Sequence, residues 1–203
     1  MIQRWRLSDP RWRRLLEPDA SGELIALDCE TTGLDPRRDE ILSIAAIPIL
    51  GRRILCARRL VLTVRPERAP AASSVLVHRL RPMDVAAGEP MAEALPKLLD
   101  FIGSRPLVGY FIAFDVRILS RYCRETIGIG LPNRMIEVSA LYHRHRHAQA
   151  HWTGKPLDLR FETIRHDLGL PALPQHDAYF DALSAAMMQV TLADRMSGHA
   201  ARD

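Results

Sequence analysis

The alternation of apolar and polar residues predicts a series of strands and helices along the chain. The apolar runs predict strands at Glu23–Cys29, Glu40–Ile49 and Ile54–Val64, a short fourth strand in PLVGY (106–110) and a fifth at Met135–Val138. Apolar residues at helical spacing predict helices at Met91–Gly103 and at about 111–125, 139–149, 158–168 and 177–195, with Gly169 ending the fourth of these helices. A three-stranded meander followed by alternating helices and strands is typical of an α/β fold, with a mixed five-stranded sheet flanked by helices.

The length and composition indicate one ordinary globular domain. The 203 residues are 47% hydrophobic and 26% charged, and they suffice for one core but divide poorly into two. We predict a basic N-terminal arm at residues 1–22, one domain at 23–195 and a short tail at 196–203. No apolar run approaches the roughly 20 residues of a membrane span, and the N-terminal residues lack the apolar segment of a signal peptide.

The three cysteines suggest a reducing compartment. Cys29, Cys56 and Cys123 are odd in number and far apart in sequence. This spacing argues against a disulfide framework or a zinc ribbon, and it favours the cytoplasm.

The basic charge indicates an acidic partner, of which nucleic acid is the commonest. The formal charge is +4 and the pI is near 9.3. Two segments concentrate the charge: the first 14 residues, with five arginines and two tryptophans, and HRHRH at 143–147. Each could equally be a solvated face. His143, His147 and His151 form a helical stripe that could bind zinc, but without a matching acid or cysteine a solvated or phosphate-facing helix is the preferred interpretation.

Two acids end the otherwise apolar first strand. Asp28 and Glu30 are two residues apart, so they point to the same face of a strand. Adjacent ionised carboxylates repel each other unless a cation neutralises them. Taken alone, such a pair is usually a harmless strand end.

Two predicted helices each carry an acid on an apolar stripe. Asp115 shares a stripe with Ile112, Leu119 and Tyr122, where it could simply pair with Arg117. Asp181 shares a stripe with Ala178, Ala185 and Met188, in a helix that follows His176 and the N-cap candidate Asp177. One site for a hard divalent cation such as Mg²⁺ or Mn²⁺ explains all of these acids together.

Three segments carry a resemblance to a known family. DCETTG, VGYFIAFD and HDAYFD resemble the three exonuclease motifs of the DnaQ-like 3′→5′ exonucleases, in the DEDDh subgroup, and the resemblance covers roughly residues 23–192. It implies a ribonuclease H-like fold, with two metal ions held by Asp28, Glu30, Asp115 and Asp181 and with His176 as general base. In this assignment Asp28, Glu30 and Asp181 hold the first ion, and Asp28 bridges to the second, which Asp115 supports.

The resemblance also implies residues that contact the substrate. Thr31 and Thr32 are similar to family residues that line the 3′-terminal nucleotide, and Leu34 resembles an apolar wedge. Tyr110 and Phe111 stand where many relatives have His-Asn, and both are candidate substrate contacts. An equal alternative is that Phe111 fills the core beneath the helix that follows it. Near VHRLRPMDVAAG, Arg79 stands where a glycine commonly follows the histidine, so His78 is interpreted as structural.

These observations together predict a metal-dependent 3′→5′ exonuclease. It would act on single-stranded DNA or RNA 3′ ends, with DNA slightly favoured, and release nucleoside 5′-monophosphates; neither a membrane nor a stable protein partner is expected. One alternative is a non-catalytic nucleic-acid-binding module, although such a module would usually lack one of the acids. Another is a proofreading subunit of a DNA polymerase, although only about ten residues follow the last predicted helix for docking.

Overall fold

The strands and helices together form a mixed α/β fold. A computed structural model describes residues 7–68, 82–148 and 156–200. The strands are β1 (Glu23–Thr31), β2 (Ile41–Leu50), β3 (Arg53–Ile54), β4 (Leu60–Arg65), β5 (Glu89–Pro90), β6 (Leu107–Gly109) and β7 (Met135–Glu137). The helices are α1 (Pro82–Ala86), α2 (Met91–Ile102), α3 (Ile112–Ile127), α4 (Val138–His147), α5 (Phe161–Asp167) and α6 (Ala178–Ala200), with 3₁₀ helices at Pro10–Leu16 and Cys56–Arg58.

The sheet has the mixed topology that the sequence predicted. Its strand order is β5-β4-β2-β1-β6-β7, with β3 paired to β2. β2 pairs antiparallel with β1 and β4, whereas β6 runs parallel to β1, and β7 runs parallel to β6. The two-residue strand β5 is additional to the five predicted strands. Because β1, β6 and β7 run parallel to one another, their carboxyl ends lie at the same end of the sheet.

The prediction of one continuous third strand, Ile54–Val64, is wrong. The segment divides into β3, the Cys56–Arg58 3₁₀ helix and β4, which pair separately with β2. The interruption lies beside Pro48, which has no backbone N–H to donate to a neighbouring strand. Leu55 N–H donates to the Pro48 carbonyl (2.8 Å), after which the chain leaves the ladder.

The two faces of the sheet are covered by different helices. On one face, buried Ile25 and Leu27 pack in a cluster with residues of α2 and α3. On the other face, Ala26 and Ala45 pack with alanines of α6. Small side chains on both partners allow α6 to lie close to the sheet, and this places the start of α6 beside the end of β1.

The described part of the predicted N-terminal arm packs on the domain. Trp12 and Leu15 are 2% and 3% exposed and belong to the core beside α2 and α3. Arg14 forms an ion pair with Asp100 of α2. Residues 1–6, including Arg4 and Arg6, lie outside the described residues.

At the other end of the chain, α6 runs to Ala200 rather than ending at residue 195. It therefore continues five residues into the predicted tail. A search of the described residues finds no helix with the length and apolar character needed to cross a membrane.

Candidate active site

Two carboxylates project from the end of β1 on the face that α6 covers. Asp28 pairs with Ala45 across the β1–β2 ladder, and Glu30 pairs with Ser43. Opposed residues of an antiparallel pair lie on the same face, so each acid has a small side chain beside it. The register shifts directly after Glu30. Such irregularities are typical of strand ends that place functional side chains.

A third carboxylate comes from the first turn of α6. Oxygen atoms of Asp28, Glu30 and Asp181 all lie within 4.8 Å of one another. Asp177 caps α6 as predicted: its Oδ1 accepts from Tyr179 N–H (2.9 Å) and Phe180 N–H (3.3 Å). The cap fixes the helix start and so the position of Asp181, one turn along.

Asp115 lies next to this cluster and is almost fully buried. It is 4% exposed on the inward stripe of α3, and its Oδ1 accepts from Cys29 N–H (3.1 Å). This bond attaches the first turn of α3 to β1 between the two strand acids. The alternative of an ion pair with Arg117 is not realised, since that arginine is exposed and has no ion pair among the described residues.

Burial and mutual repulsion hold these carboxyl groups towards the protonated form. Burial raises the pKa of Asp28 well above its usual range, and the charges of Asp115, Asp181 and Glu30 raise it further. Burial raises the pKa of Glu30 to about 7 and that of Asp115 to about 8. Burial also raises the pKa of Asp181. The cluster therefore favours an added cation.

Glu23, at the opposite end of β1, shows the usual way of burying an acid. It is 8% exposed and pairs with Arg58 (2.7 Å) and Arg105 (2.5 Å). These hydrogen bonds, that of Arg58 foremost, lower the Glu23 pKa. Among the described residues, Asp28 and Glu30 have no comparable arginine or lysine. One strand thus carries a neutralised acid at one end and unneutralised acids at the other.

The unneutralised acids fit a divalent metal site. Carboxylate oxygens are the ligands that Mg²⁺ and Mn²⁺ prefer, and the three side chains converge closely enough to share one ion. Asp115 adjoins these three acids through its hydrogen bond with Cys29 N–H. The assignment of all four acids as ligands of two ions stays a prediction.

His176 is exposed and directly precedes the α6 cap. Its backbone N–H donates to Asp181 Oδ2 (3.0 Å), and its φ of 60° is unusual for a residue with a side chain. The hydrogen bond from the His176 N–H, and then the nearby imidazole, lower the pKa of Asp181 against the larger effect of burial. The imidazole is therefore close to the cluster and open to solvent.

The threonine hydroxyls at the start of the β1–β2 loop donate hydrogen bonds to other residues of the same loop. Thr31 Oγ1 donates to the Gly33 carbonyl (2.7 Å), and Thr32 Oγ1 donates to Asp39 Oδ1 (3.0 Å). Asp39 also accepts from Asp35 N–H (2.7 Å), so it organises the loop, a role that sequence analysis did not assign. Leu34 is 88% exposed at the loop tip. Its predicted contact with nucleotide stays a prediction.

Tyr110 and Phe111 occupy different environments. The Tyr110 hydroxyl donates to the Leu159 carbonyl (3.1 Å), and its ring packs edge-on against Phe161. Phe111 is 69% exposed, so the interpretation that it fills the core beneath the helix is wrong. Glu137, which sequence analysis missed, accepts from Ile112 N–H (3.1 Å) through Oε2. Its position at the carboxyl end of a parallel strand was the available signal.

The described part of the predicted histidine stripe lies on α4. His143 and His147 are exposed on α4, with Nε2 atoms 3.0 Å apart. His151 and His78 lie outside the described residues.

Known proteins are similar to this chain in sequence or in fold. The chain is 26% identical over 199 residues to a DNA polymerase III PolC-type from Thermotoga maritima, covering 96% of this chain but 14% of the polymerase. It is 32% identical over 131 residues to an oligoribonuclease from Halorhodospira halophila, covering 58% of this chain and 71% of that relative. Its fold matches E. coli exonuclease I in complex with a dT13 oligonucleotide at a TM-score of 0.72 and 16% identity, over 87% of this chain and 42% of that one.

The family model described as Exonuclease (RNase T) matches residues 25–188. That range contains β1 with its two acids, α3 with Asp115, and the start of α6 with His176 and Asp181. Because the match spans more than half of the 203 residues, the chain belongs to the exonuclease family, as a DnaQ-like member with a ribonuclease H-like fold.

Proposed function

We propose that the protein is a metal-dependent 3′→5′ exonuclease that removes nucleoside 5′-monophosphates from single-stranded nucleic acid. The observation that carries the proposal is the cluster of Asp28, Glu30 and Asp181 oxygens within 4.8 Å, half-buried and without arginine or lysine partners among the described residues. Asp115 adjoins the cluster, and His176 is exposed beside it.

In the proposed reaction the protein's residues position charge and move one proton. Bound divalent ions would stabilise the attacking and leaving oxygens of the phosphodiester. Asp28, Glu30 and Asp181 would hold the first ion, with Asp28 and Asp115 at the second. His176 would accept the proton of the attacking water, because an imidazole nitrogen can act as a general base.

The proposed substrate is a single-stranded 3′ end, with DNA favoured over RNA. The similarity to a DNA polymerase runs along 96% of the chain, whereas that to an oligoribonuclease runs along 58%. The matching exonuclease I structure holds a DNA oligonucleotide. We propose action in the cytoplasm, consistent with the three free cysteines.

Similarity to DNA polymerases also supports a second candidate, a proofreading subunit. The polymerase relative aligns with almost all of this chain. Under this alternative the purified protein would remove mismatched 3′ ends faster once the polymerase is added, whereas a free-standing enzyme would be unaffected by it.

The test uses 5′-labelled DNA and RNA oligonucleotides with Mg²⁺, Mn²⁺ or EDTA. We expect ladders that shorten from the 3′ end with either metal and no cleavage in EDTA. Asp28→Asn and Asp181→Ala should abolish cleavage while the protein stays folded by circular dichroism. Full activity in EDTA, or in either variant, would show that the acids do not act through metal. If the substrate stays uncleaved in every condition, the remaining candidate function is a non-catalytic nucleic-acid-binding module.

A further inference from the structure

A second concave feature, lined by arginines, lies on the outer side of α3. It is a cavity of about 310 Å³ between α3 and the β1–β2 loop. Four of its lining residues are arginines: Arg37 from the loop and Arg117, Arg121 and Arg124 from α3. Among the described residues no carboxylate lines it. We call this feature the arginine cavity.

The helix places its three arginines on one face. Positions 117, 121 and 124 follow the i, i+4, i+7 spacing of a helical stripe. Arg121 is the structural member: its guanidinium donates to the Pro36 carbonyl (3.0 Å) and the Asp39 carbonyl (2.5 Å). These bonds fix the loop against α3 and leave the charge of Arg121 unneutralised.

The other arginines of the cavity are exposed and lack ion-pair partners. Arg37, Arg117 and Arg124 are exposed, and no carboxylate within the described part of the chain lies at ion-pair distance from them. Like charges held around one concavity repel each other, so the arrangement favours an anion between them. A guanidinium binds phosphate oxygens through paired N–H groups, which makes phosphate the best-matched anion.

The basic surface continues beyond the arginine cavity. A neighbouring cavity of about 610 Å³ shares Arg37 and Arg121. It adds Arg38, Arg65 and Arg68, together with three glutamates. Successive arginine-lined concavities suit a chain of phosphates better than one small anion.

Two chain segments connect this surface to the acid cluster. The β1–β2 loop begins directly after Glu30 and carries Arg37, and α3 carries both Asp115 and Arg117. Both segments therefore carry arginines within seven residues of the acids, and a strand whose 3′ end lies at the acids could extend towards these arginines.

We propose that the arginine cavity binds backbone phosphates of the substrate strand on the 5′ side of the nucleotide being removed. The proposal rests on the proposed function, since it takes the acid cluster as the position of the 3′ end. It makes Arg117 and Arg124 determinants of substrate length, because they contact only strands long enough to reach them.

The test compares two double variants that remove the same charge. Arg117→Ala/Arg124→Ala empties part of the cavity and leaves Arg121 to hold the loop. Arg53→Ala/Arg134→Ala is the matched control, since both arginines are exposed and lie at the end of the sheet away from the acids. Circular dichroism checks that each variant is folded.

Binding is measured in EDTA, where no turnover is expected, by fluorescence anisotropy of a 5′-labelled DNA strand of about 20 nucleotides. We expect the cavity variant to bind more weakly, with a log K against log salt slope smaller by about 1.4, because each phosphate contact on a single strand contributes roughly 0.7. The slope of the control variant should decrease by less than half of that amount. With Mg²⁺, the cavity variant should show a raised KM for the same strand and an unchanged KM for a dinucleotide.

Three results would overturn the proposal. The first is a cavity variant that retains the wild-type salt slope. The second is a control variant that loses as much slope as the cavity variant. The third is a cavity variant that loses binding to an acidic polymer such as polyglutamate but not to DNA, which would fit a protein partner instead. Because binding is measured without turnover, a protein that binds as expected but cleaves nothing would contradict only the proposed function.

Discussion

At the scale of single residues, backbone strain marks both sides of the candidate site. Phe111 and His176 have φ values of 57° and 60°, a region in which residues with side chains are uncommon. Phe111 directly precedes α3, which carries Asp115, and His176 lies two residues before α6, which carries Asp181. Strained residues are concentrated at functional sites. At each of these two positions the strained residue turns the chain sharply into a helix that carries one of the acids.

His176→Asn should separate proton transfer from metal binding. Asparagine tolerates the left-handed conformation, so the backbone bond to Asp181 should persist, but its amide cannot accept the proton. We expect kcat to fall by roughly 10²- to 10⁴-fold, with Mn²⁺ affinity unchanged by calorimetric titration. A parallel loss of metal affinity would make His176 a ligand instead.

His176→Ala is the informative control for this experiment. Alanine adds left-handed strain of about 1 kcal/mol, so it should lower the melting temperature slightly more than asparagine does. Equal kinetics in both variants would assign the loss to the missing imidazole.

Phe111 and Tyr110 should give opposite results when each is changed to leucine. An exposed ring can stack on a base for about 1–3 kcal/mol, so Phe111→Leu should raise KM for oligonucleotides about fivefold or more without lowering the melting temperature. Tyr110→Leu removes the hydroxyl bond to Leu159 and the contact with Phe161. It should lower the melting temperature by about 5 °C.

A minimal phosphodiester, p-nitrophenyl thymidine phosphate, provides the comparison for Phe111. Its cleavage should be unaffected by Phe111→Leu, because it has no neighbouring base to stack. If both substrates suffer equally, Phe111 acts on the geometry of α3 and not on the substrate.

Sequence patterns predicted the acids better than the residues beside them. Strand alternation placed Asp28 and Glu30 on one face, and helical spacing placed Asp115 and Asp181 inward. The different environments of Tyr110 and Phe111 depend on a left-handed residue, which the sequence does not reveal. The threonine hydroxyls bond within their loop because Asp39, seven residues after Thr32, folds back towards them.

At the scale of elements, the site depends on a close approach of β6 to β1. A Cβ on Gly109 would lie 2.9 Å from both the Leu27 carbonyl oxygen and Ile112 Cδ1. Leu27 directly precedes Asp28, and Ile112 begins α3. The glycine therefore sets the spacing between two of the elements that carry the acids.

Gly109→Ala should damage stability and activity together. Overpacking of this kind costs about 1–3 kcal/mol, so the melting temperature should fall by roughly 3–10 °C, and displacement of Asp28 should lower kcat. Gly130→Ala is the control, since its Cβ would lie 3.3 Å from Ser120 and needs only a small adjustment. If the Gly109→Ala protein is active and fully stable, β6 and β1 can move apart without cost, and their close approach does not control the site.

The elements themselves were predictable where their patterns were long. The apolar run of β2 and the stripe of α3 were found, and Gly169, with φ of 72°, follows α5 as expected. The break between β3 and β4 was not found, because it arises from Pro48 on the neighbouring strand. Pairing between strands is a property that a local apolar pattern does not contain.

At the scale of the whole molecule, charge is separated into an acid cluster and an arginine surface. The net charge of +4 suggested nucleic acid, but the sequence pointed to the N-terminal arginines. In the structure Arg14 pairs with Asp100, and Arg11 lies 4.0 Å from Asp9. Among the described residues, four arginines without ion pairs gather around the arginine cavity, from α3 and the β1–β2 loop, which only tertiary contact brings together.

This separation predicts how the stability of the metal-free protein depends on pH. In the unfolded chain Glu and Asp titrate near 4, whereas in the folded protein the pKa of Glu30 is about 7 and that of Asp115 about 8. Between these values the folded state retains protons that the unfolded state has released, so the free energy of unfolding falls as pH rises. The slope is at most about 1.4 kcal/mol per pH unit for each group. Glu23 does not disturb this window, because its lowered pKa affects stability only at more acidic pH.

The measurement is the melting temperature in EDTA between about pH 5 and pH 9. We expect it to decrease across this range, through the pKa of Glu30 and that of Asp115, and Asp28, whose pKa is also raised, extends the decrease rather than ending it. Mg²⁺ should remove most of the decrease, because a bound cation stabilises the ionised acids. Glu30→Gln should make the decrease shallower in EDTA, since one titrating group is lost, whereas Glu17→Gln, at an exposed position, should leave it unchanged. A metal-free protein that becomes more stable from pH 5 to pH 8 would mean that the clustered acids are already neutralised by the protein.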